Sequence, residues 1–286
     1  MLKGHIRQDW YDNCVKYHQE NYASWWKKMF ENLHSKEMGD HFSLMSSSSY
    51  LVRLGDLKVA IDPAWYIPGI FDEMKEQIKK DLAGVDYIIF THEHGDHFNP
   101  EQVAYLHDLP VKWIVPVYFD KWFLSTGVDP KNVIFASPDM KFDLGGVELL
   151  ALEGNHNYPD GEKGPKELMY IFEGAGKKLF FPADLRAFKP EMIPDYGEYD
   201  CVFLHMYLSR TDGYSYPFDE YYPDLVKYAA ALNTKKVFLG HLYGFQCGSP
   251  DRFWNYMHAG MLMDGLFCLR PDMELKIPFV GRSYEI

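Results

Sequence analysis

The segment 92–97 reads His-Glu-His-Gly-Asp-His and places five potential metal ligands in six consecutive positions. Three imidazoles and two carboxylates so close together are costly to bury without a cation. The segment follows a strand-like run, residues 85–90, and open α/β sheets carry their chemistry at the carboxyl ends of such strands. The alternative is a solvated, histidine-rich turn, or a helix that begins at Asp96 with incidental histidines. The density of ligands favours a metal site.

Further candidate ligands come directly after apolar runs elsewhere in the chain. They are His156 after residues 147–152, Asp184 after residues 178–181 and His241 after residues 236–239. Taken alone, each is more often a hydrogen-bonded turn residue than a ligand. The segment 92–97 holds too few ligands to complete two metal sites, however, so the later strand ends must supply the rest. We therefore predict one site assembled from four strand ends.

The order His-x-His-x-Asp-His, followed by His, Asp and His at later strand ends, resembles the metallo-β-lactamase superfamily over about residues 42–244. The resemblance implies an α/β fold, a four-layer αββα sandwich, with a binuclear metal centre. The implied ligands are His92, His94 and His156 for one metal, Asp96, His97 and His241 for the second, and Asp184 as the bridge. Residues 49–54 and 58–63 are most similar to the branch that contains the ascorbate-phosphate lactonases.

Three positions around these ligands bear on the resemblance. Asp62 matches the superfamily's early strand-end aspartate, and such outer carboxylates orient ligand imidazoles. The bridging aspartate usually follows a glycine, but Ala183 stands here, so we expect metal binding to survive and the substrate analogy to weaken. The breaker-rich loop 157–167 forms either a lid or a surface excursion.

The ligand types indicate the chemistry. Imidazole and carboxylate suit two divalent ions such as Zn or Mn, and Fe or Ni also fit. Two ions roughly 3.5–4 Å apart would bridge a water and lower its pKa from about 15.7 towards about 7. We therefore predict a metal-dependent hydrolase that uses a metal-bridging hydroxide on a small ester, lactone or phosphodiester. The alternatives are a non-catalytic metal-binding or sensor protein and an iron oxidoreductase on the same scaffold.

Other side chains are candidates for catalysis or substrate binding. We assign catalytic roles to Asp96 and to His205, which follows an apolar run; His205 is either a substrate contact or proton donor, or a packed strand-end histidine. Arg186 could meet an anionic group, although we expect it at the surface. Tyrosines close to the ligands in sequence could donate hydrogen bonds to substrate; they are Tyr158, Tyr207 and Tyr243.

Composition limits the partners. The 286 residues include 29 Lys and Arg against 41 Asp and Glu, a net charge of −12, and a nucleic-acid binder would show a basic patch. No apolar run approaches about 20 residues and the N-terminus has no signal-peptide core, so we expect a cytoplasmic protein without membrane or nucleic-acid partners and with a small-molecule substrate. The cysteines fit no zinc pattern and are expected to be free thiols; they are Cys14, Cys201, Cys247 and Cys268.

Periodicity predicts an N-terminal helical extension, residues 1–40, followed by a metallo-β-lactamase-like domain, residues 41–286. Apolar residues spaced three or four apart between residues 11 and 33 give one helical face, which packs on the domain or on a neighbouring subunit of a homo-oligomer. His18 lies on that face as a satisfied core histidine. A polar strand is expected at residues 46–49 and a hairpin turn at residues 174–176. The predicted strands are residues 50–54, 58–61, 85–90, 112–115, 133–136, 147–152, 168–172, 178–181, 201–205 and 236–239, and the predicted helices are residues 72–82, 100–106, 221–232 and 250–257.

Overall fold

The computed structural model describes residues 2–157, 163–208, 218–242, 254 and 256–286, and for residues 2–11, 218–220 and 257 it describes the backbone alone. The helices in this part of the chain are α1 (Leu2–His34), α2 (Ile70–Leu82), α3 (Pro100–Leu106), α4 (Asp120–Leu124), α5 (Phe218–Ala231) and α6 (Tyr256–Leu269). The strands are β1 (His41–Ser46), β2 (Ser49–Leu54), β3 (Leu57–Ile61), β4 (Tyr87–Ile89), β5 (Lys112–Pro116), β6 (Val133–Ala136), β7 (Lys141–Asp143), β8 (Val147–Glu153), β9 (Leu168–Gly174), β10 (Lys177–Phe181), β11 (Cys201–His205), β12 (Lys236–Gly240), β13 (Glu274–Lys276) and β14 (Ser283–Glu285).

The strands form two seven-stranded sheets. The N-terminal sheet has the order β14-β1-β2-β3-β4-β5-β6, and the C-terminal sheet has the order β13-β12-β11-β10-β9-β8-β7. Each sheet is antiparallel on one side and parallel on the other, with β3 to β6 parallel in the first and β10 to β13 parallel in the second. Parallel strands end at the same edge, so residues that follow them are brought together.

The alternation of side chains along β11 shows how the layers stack. Cys201 and Phe203 belong to the core between the sheets, where the ring centroid of Phe203 lies 4.8 Å from that of Phe42 in β1. Val202 and Leu204 point the other way, into a second core that also contains buried residues of α5 and α6. Since both faces of the sheet are covered, strand and helix form successive layers. The predicted four-layer α/β sandwich is confirmed.

Helix α1 follows the predicted periodicity. Tyr22, Met29 and Leu33 are buried, and α1 contacts α2, β1 and β2 of the same chain. His18 is also buried, and its Nδ1 lies 2.8 Å from the carbonyl oxygen of Cys14. The added N-terminal helix therefore packs on the domain, and the satisfied core histidine is confirmed.

The residues 46–49 do not form a continuous polar strand. Ser47 and Ser48 make the turn between β1 and β2, because the two strands pair as a hairpin with Ser46 opposite Ser49. This turn lies next to the candidate ligand loop 92–97, because the Ser48 hydroxyl donates to the carbonyl oxygen of Asp96 at 3.2 Å. The strand expected at residues 46–49 is therefore wrong.

The end of the chain also differs from expectation. Of the predicted helix 250–257, residues 250–253 and 255 lie outside the described residues, and α6 continues to Leu269. The periodicity of α6 is hidden because it is apolar on both faces: Leu262 and Leu266 are buried, whereas Met263 and Phe267 are exposed. Short edge strands were missed for a related reason, since three-residue strands such as β13 and β14 are too short to show alternation.

Several smaller expectations are confirmed. A two-residue turn joins β9 to β10, with Ala175 and Gly176 both at positive φ (51° and 75°), as a tight hairpin requires. Cys14, Cys201 and Cys268 are free thiols; Cys247 lies outside the described residues. Within the described ranges, no helix is both long enough and apolar enough to cross a bilayer.

Candidate metal centre

The strand ends bring the predicted ligands together at one edge of the sandwich. The loop 92–97 follows β4, His156 follows β8, Asp184 follows β10 and His241 follows β12. They form two overlapping groups, and within each group the four ligand atoms lie within 4.8 Å of one another. The first group is His92, His94, His156 and Asp184, and the second is Asp96, His97, Asp184 and His241.

The first group is a triangle of imidazoles. Ring centroids lie 4.9 Å apart for His92 and His94, 4.9 Å for His92 and His156, and 4.7 Å for His94 and His156. Burial, with the neighbouring His156, lowers the pKa of His94 to about 4. Burial, with the nearby Arg186, lowers the pKa of His156 to about 3. Both rings are therefore neutral at pH 7, which is the form that binds metals.

The second group has the spacing of a coordination shell. Nε2 of His241 lies 3.1 Å from Oδ2 of Asp96 and 3.3 Å from Oδ2 of Asp184. Nε2 of His97 lies 3.3 Å from Oδ1 of Asp184. Ligand atoms about 2.1 Å from one ion lie about 3.0 Å apart in an octahedron and about 3.4 Å apart in a tetrahedron. The distances between these ligand atoms therefore match a first coordination sphere.

The hydrogen bonding of two buried histidine rings shows whether the residues fit metal ions. Nε2 of His92 and Nε2 of His97 are buried and have no hydrogen-bond partner among the described residues. The other ring nitrogens are held: Nδ1 of His97 lies 2.8 Å from Oδ2 of Asp62, and Nδ1 of His92 lies 3.0 Å from the Thr91 hydroxyl. An imidazole held at Nδ1 with a bare, buried Nε2 is the usual arrangement of a metal ligand. The residues thus fit two divalent ions.

Charge in the second group also favours cations. Burial opposes protonation of His97, but the carboxylates of Asp184 and Asp62 hold its pKa well above the usual value. Burial likewise opposes ionisation of Asp96, yet the hydrogen bond from His241 holds the pKa of that carboxyl below its usual range. The pocket therefore stabilises positive charge beside its carboxylates, which is the property that a divalent ion needs.

Asp62 supports the ligand loop, as the resemblance implies. Its Oδ1 accepts from the Thr91 backbone N–H (2.7 Å), and its Oδ2 accepts from the Thr91 hydroxyl (2.6 Å) and from His97 Nδ1 (2.8 Å). Because the Thr91 hydroxyl donates to Asp62, it can only accept from Nδ1 of His92. One carboxylate therefore sets the tautomers of two candidate ligands, one in each group.

Glu167 lies against the candidate ligands, and sequence reasoning missed it. Its Oε2 lies 3.1 Å from Nδ1 of His156 and accepts from the Asp184 backbone N–H at 3.1 Å. Burial raises the pKa of Glu167 to about 8. Gly154 leaves the room that Glu167 occupies, since a Cβ at that glycine would overlap the glutamate side chain. The only signal in the sequence is a lone carboxylate immediately before the apolar run of β9.

The comparisons with known proteins agree with this geometry. A family model described as a β-lactamase superfamily domain matches residues 58–242, which is more than half of the chain and includes all the candidate ligands. The chain belongs to the β-lactamase superfamily.

Curated relatives within this superfamily are distant. The N-acyl-phosphatidylethanolamine-hydrolyzing phospholipase D 1 of Caenorhabditis elegans is 26% identical over 116 residues, which is 36% of this chain. The match spans only 32% of the length of that protein. A UPF0173 metal-dependent hydrolase of Flavobacterium johnsoniae is 26% identical over 162 residues, covering 55% of this chain and 68% of the relative.

A solved structure extends the likeness in fold. CmlA, a diiron β-hydroxylase from Streptomyces venezuelae, superposes with a TM-score of 0.64 at 16% sequence identity. The superposition covers 87% of this chain and 54% of that one. At this level of identity the likeness concerns the fold alone.

Ala183, which stands where the resemblance implies a glycine, has a strained backbone. Its φ is 57°, in the left-handed region that glycine adopts without strain. The residue is buried between β10 and Asp184. The left-handed backbone is therefore one reason to expect a glycine at this position, and the space left by the absence of a side chain is another.

Arg186 was expected at the surface, and this expectation is wrong. The side chain is 3% exposed, and its Nη2 donates to Oδ2 of Asp184 at 2.7 Å. The guanidinium lies 4.1 Å from the centre of the Tyr207 ring. The arginine is buried because it has an ion-pair partner and an aromatic face, neither of which is visible in a local sequence window.

His205 lies at the predicted site, beside the shared aspartate. Its Nδ1 is 2.8 Å from Oδ1 of Asp184, and its Nε2 is 2.9 Å from the Tyr50 hydroxyl. Both ring nitrogens are therefore engaged within the protein. Of the tyrosines expected to contact substrate, Tyr207 stacks beside Arg186, whereas Tyr158 and Tyr243 lie outside the described residues.

Proposed function

We propose that this protein is a binuclear metal-dependent hydrolase of a small ester, lactone or phosphodiester. The observation that carries the proposal is the pair of overlapping ligand groups that share Asp184. Two ions held by one shared carboxylate can act together on one scissile bond. Both curated relatives described above are hydrolases by name, which supports the same reaction class.

The chain's own residues would divide the work as follows. His92, His94 and His156 would hold one ion, Asp96, His97 and His241 the other, and Asp184 would contact both. When bound, the ions supply Lewis acidity and an activated water. Zn and Mn suit this set of imidazole and carboxylate ligands, which contains no thiolate.

Substrate would enter beside His94 and Asp96. These two residues are partly exposed, whereas the other ligands are buried. The Asp96 side chain is 11% exposed, so it faces both the ligand cluster and the solvent. As a carboxylate in that position it can accept a hydrogen bond from a water or a substrate group in the cleft.

Among the three substrate classes, small phosphodiesters are to be tested first. The named activity of the Caenorhabditis elegans relative is phosphodiester cleavage in a phospholipid, although the match covers a third of its length. Large nucleic acids are disfavoured because the chain has a net charge of −12. The narrower resemblance to ascorbate-phosphate lactonases keeps lactones in the same screen.

The test begins with metal content. Protein purified without added metal is analysed by ICP-MS, then loaded with Zn or Mn and assayed on bis(p-nitrophenyl) phosphate, p-nitrophenyl acetate and a γ-lactone. We expect two equivalents per chain and turnover of at least one substrate class. The double variant His92→Ala/His241→Ala should lose both, whereas His107→Ala, at an exposed histidine on the end of α3, should lose neither.

Other outcomes would redirect the proposal. Two bound ions without turnover on any substrate would favour a metal-binding or sensor protein. Iron in the purified protein together with oxygen consumption would favour an oxidoreductase. Equal turnover by the double variant and the wild type would refute a metal-dependent reaction at this site.

A further inference from the structure

We infer that Tyr50 and His205 form a positioning pair that orients Asp184 for the ion held by Asp96, His97 and His241. The inference rests on the proposed function, because it assigns a purpose to residues around the proposed metal centre. The pair is neither a ligand nor a direct contact of the reacting atoms. It acts through Asp184.

The direction of the hydrogen bonds follows from their chemistry. An ionised Asp184 carboxylate can only accept, so Nδ1 of His205 donates to its Oδ1 across 2.8 Å. Nε2 of the neutral ring must then accept, and the Tyr50 hydroxyl donates to it across 2.9 Å. All three side chains are buried, with 1% exposure for Tyr50, 4% for His205 and none for Asp184. Water therefore does not compete for these bonds.

The pair also joins the two sheets at the site. Tyr50 lies in β2 of the N-terminal sheet, and His205 ends β11 of the C-terminal sheet. Gly240 is the register partner of His205 in β12, and a Cβ on Gly240 would overlap the Tyr50 hydroxyl. The glycine thus provides the space through which Tyr50 reaches across to His205.

The effect should concentrate on one ion. Oδ1 of Asp184, which His205 holds, lies 3.3 Å from Nε2 of His97, and the other oxygen lies 3.3 Å from Nε2 of His241. Both imidazoles belong to the second group. Arg186 holds the other oxygen, so the two donors together fix the plane of the carboxylate. Each oxygen retains a lone pair for a metal.

A proton-donor role for His205 makes a different prediction from positioning. A donor must release its proton to substrate, but Nδ1–H of His205 is directed at Asp184 and Nε2 at Tyr50. Losing a donor would leave both ions bound and lower kcat. Losing a positioning residue would weaken the second ion itself.

The experiment is a titration with Co²⁺ of protein from which a chelator has removed all metal. Binding is monitored by calorimetry and by the visible spectrum of the bound cobalt. For Tyr50→Phe we expect one equivalent to bind about 10–100-fold more weakly, the usual effect of losing an outer-shell partner, and the other, held mainly by three histidines, to change much less. Gly240→Ala should show the same selective loss, because it displaces the same hydroxyl. His205→Asn, whose amide nitrogen takes the position of Nδ1 and can still donate to Asp184, should retain more of the second ion than His205→Leu.

Tyr228→Phe is the matched control. The Tyr228 hydroxyl is buried in the second core and has no hydrogen-bond partner among the described residues, so its removal should leave both equivalents unchanged. Thermal melting confirms that each variant is folded. Wild-type affinity for both ions in folded Tyr50→Phe and His205→Leu would overturn the positioning role, as would a wild type that binds one ion only. Two bound cobalt ions without turnover would refute the hydrolase, whereas the positioning role would still be decided by the affinities of the Tyr50 and His205 variants.

Discussion

Replacing Asp62 with Asn should weaken both metal sites through a single buried residue. Asp62 accepts three hydrogen bonds, two from Thr91 and one from His97. An asparagine is nearly the same size, but one of its two polar atoms becomes a donor. The substitution therefore changes which atoms carry hydrogens and leaves the packing almost intact.

Either orientation of the new amide creates a conflict. With its NH₂ in the place of Oδ2, the amide faces the Thr91 hydroxyl and Nδ1 of His97. The hydroxyl must then donate to His92, and both histidines are driven to the tautomer that carries hydrogen on Nε2. With the amide reversed, the NH₂ faces the Thr91 backbone N–H, which lay 2.7 Å from Oδ1. A donor then meets a donor in a buried site.

The size of the effect follows from these conflicts. A protonated Nε2 cannot bind metal, so affinity falls by the free energy needed to restore the other tautomer. Losing an outer-shell partner typically weakens metal binding about 10–100-fold, or about 1.4–2.7 kcal/mol. Because His92 and His97 belong to different groups, both ions should be affected. This distinguishes Asp62→Asn from Tyr50→Phe, which should affect mainly the ion held by Asp96, His97 and His241.

The assay is competitive metal titration against a chelating dye, with the folded state checked by thermal melting. Asp86→Asn is the matched control, since Asp86 accepts from the Lys58 backbone N–H at an exposed position at the opposite end of the strands. We expect the control to bind both ions as in wild type. If folded Asp62→Asn also binds both ions with wild-type affinity, the tautomer reasoning is wrong.

Further predictions concern metal removal, Glu167 and Ala183. Chelation should lower the melting temperature in calorimetry, because an ion present at 100 times its Kd adds about 2.7 kcal/mol to the folded state; an unchanged melting temperature would argue against bound metal. Glu167→Gln should weaken metal binding about 10-fold in a dye titration, whereas Glu173→Gln, at an exposed ion pair with Lys178, should not. In protein stripped of metal, burial raises the pKa of Glu167 from 4.5 to about 8. Between these two pH values the folded protein keeps a proton that the unfolded chain has released. Stability should therefore fall as pH rises from 5 to 8, and urea midpoints of Glu167→Gln should fall less. Ala183→Gly should raise the free energy of unfolding by up to about 1 kcal/mol, since relief of the left-handed backbone outweighs the added freedom of the unfolded chain; a lower urea midpoint would contradict this.

The ligand positions were predictable because their signal is local. The candidate ligands cluster within a few residues after the ends of apolar runs, and a strand end is recognisable within a few residues of sequence. The same holds for the central strand β11, which begins and ends at the predicted residues. Every residue of β11 is buried, so its continuous apolar run identifies it.

Apart from Asp62, the contacts of the residues around the ligands were not predictable, because they depend on pairing between distant elements. Tyr50 meets His205 only because the two sheets face each other, and the two residues are 155 positions apart. Gly240 matters only in the register that sets it opposite His205. Arg186 is buried only because Asp184 turns towards it. Tertiary contacts of this kind leave no periodic trace in sequence.

Backbone strain at the strand ends indicates that this edge of the fold is built for ligand placement at the expense of stability. Asp62, Ala183 and His241 all have left-handed φ values, of 47°, 57° and 61°. Such residues cost about 1–3 kcal/mol each and persist only where surrounding contacts fix them. The contacts are present: the backbone N–H of Asp62 donates to Ile89, and that of His241 donates to Ser47. The three strained residues lie at convergent strand ends, and each is, or directly precedes, a buried carboxylate or imidazole. We interpret the strain as the cost of directing these side chains towards one point, a cost that bound metal would offset.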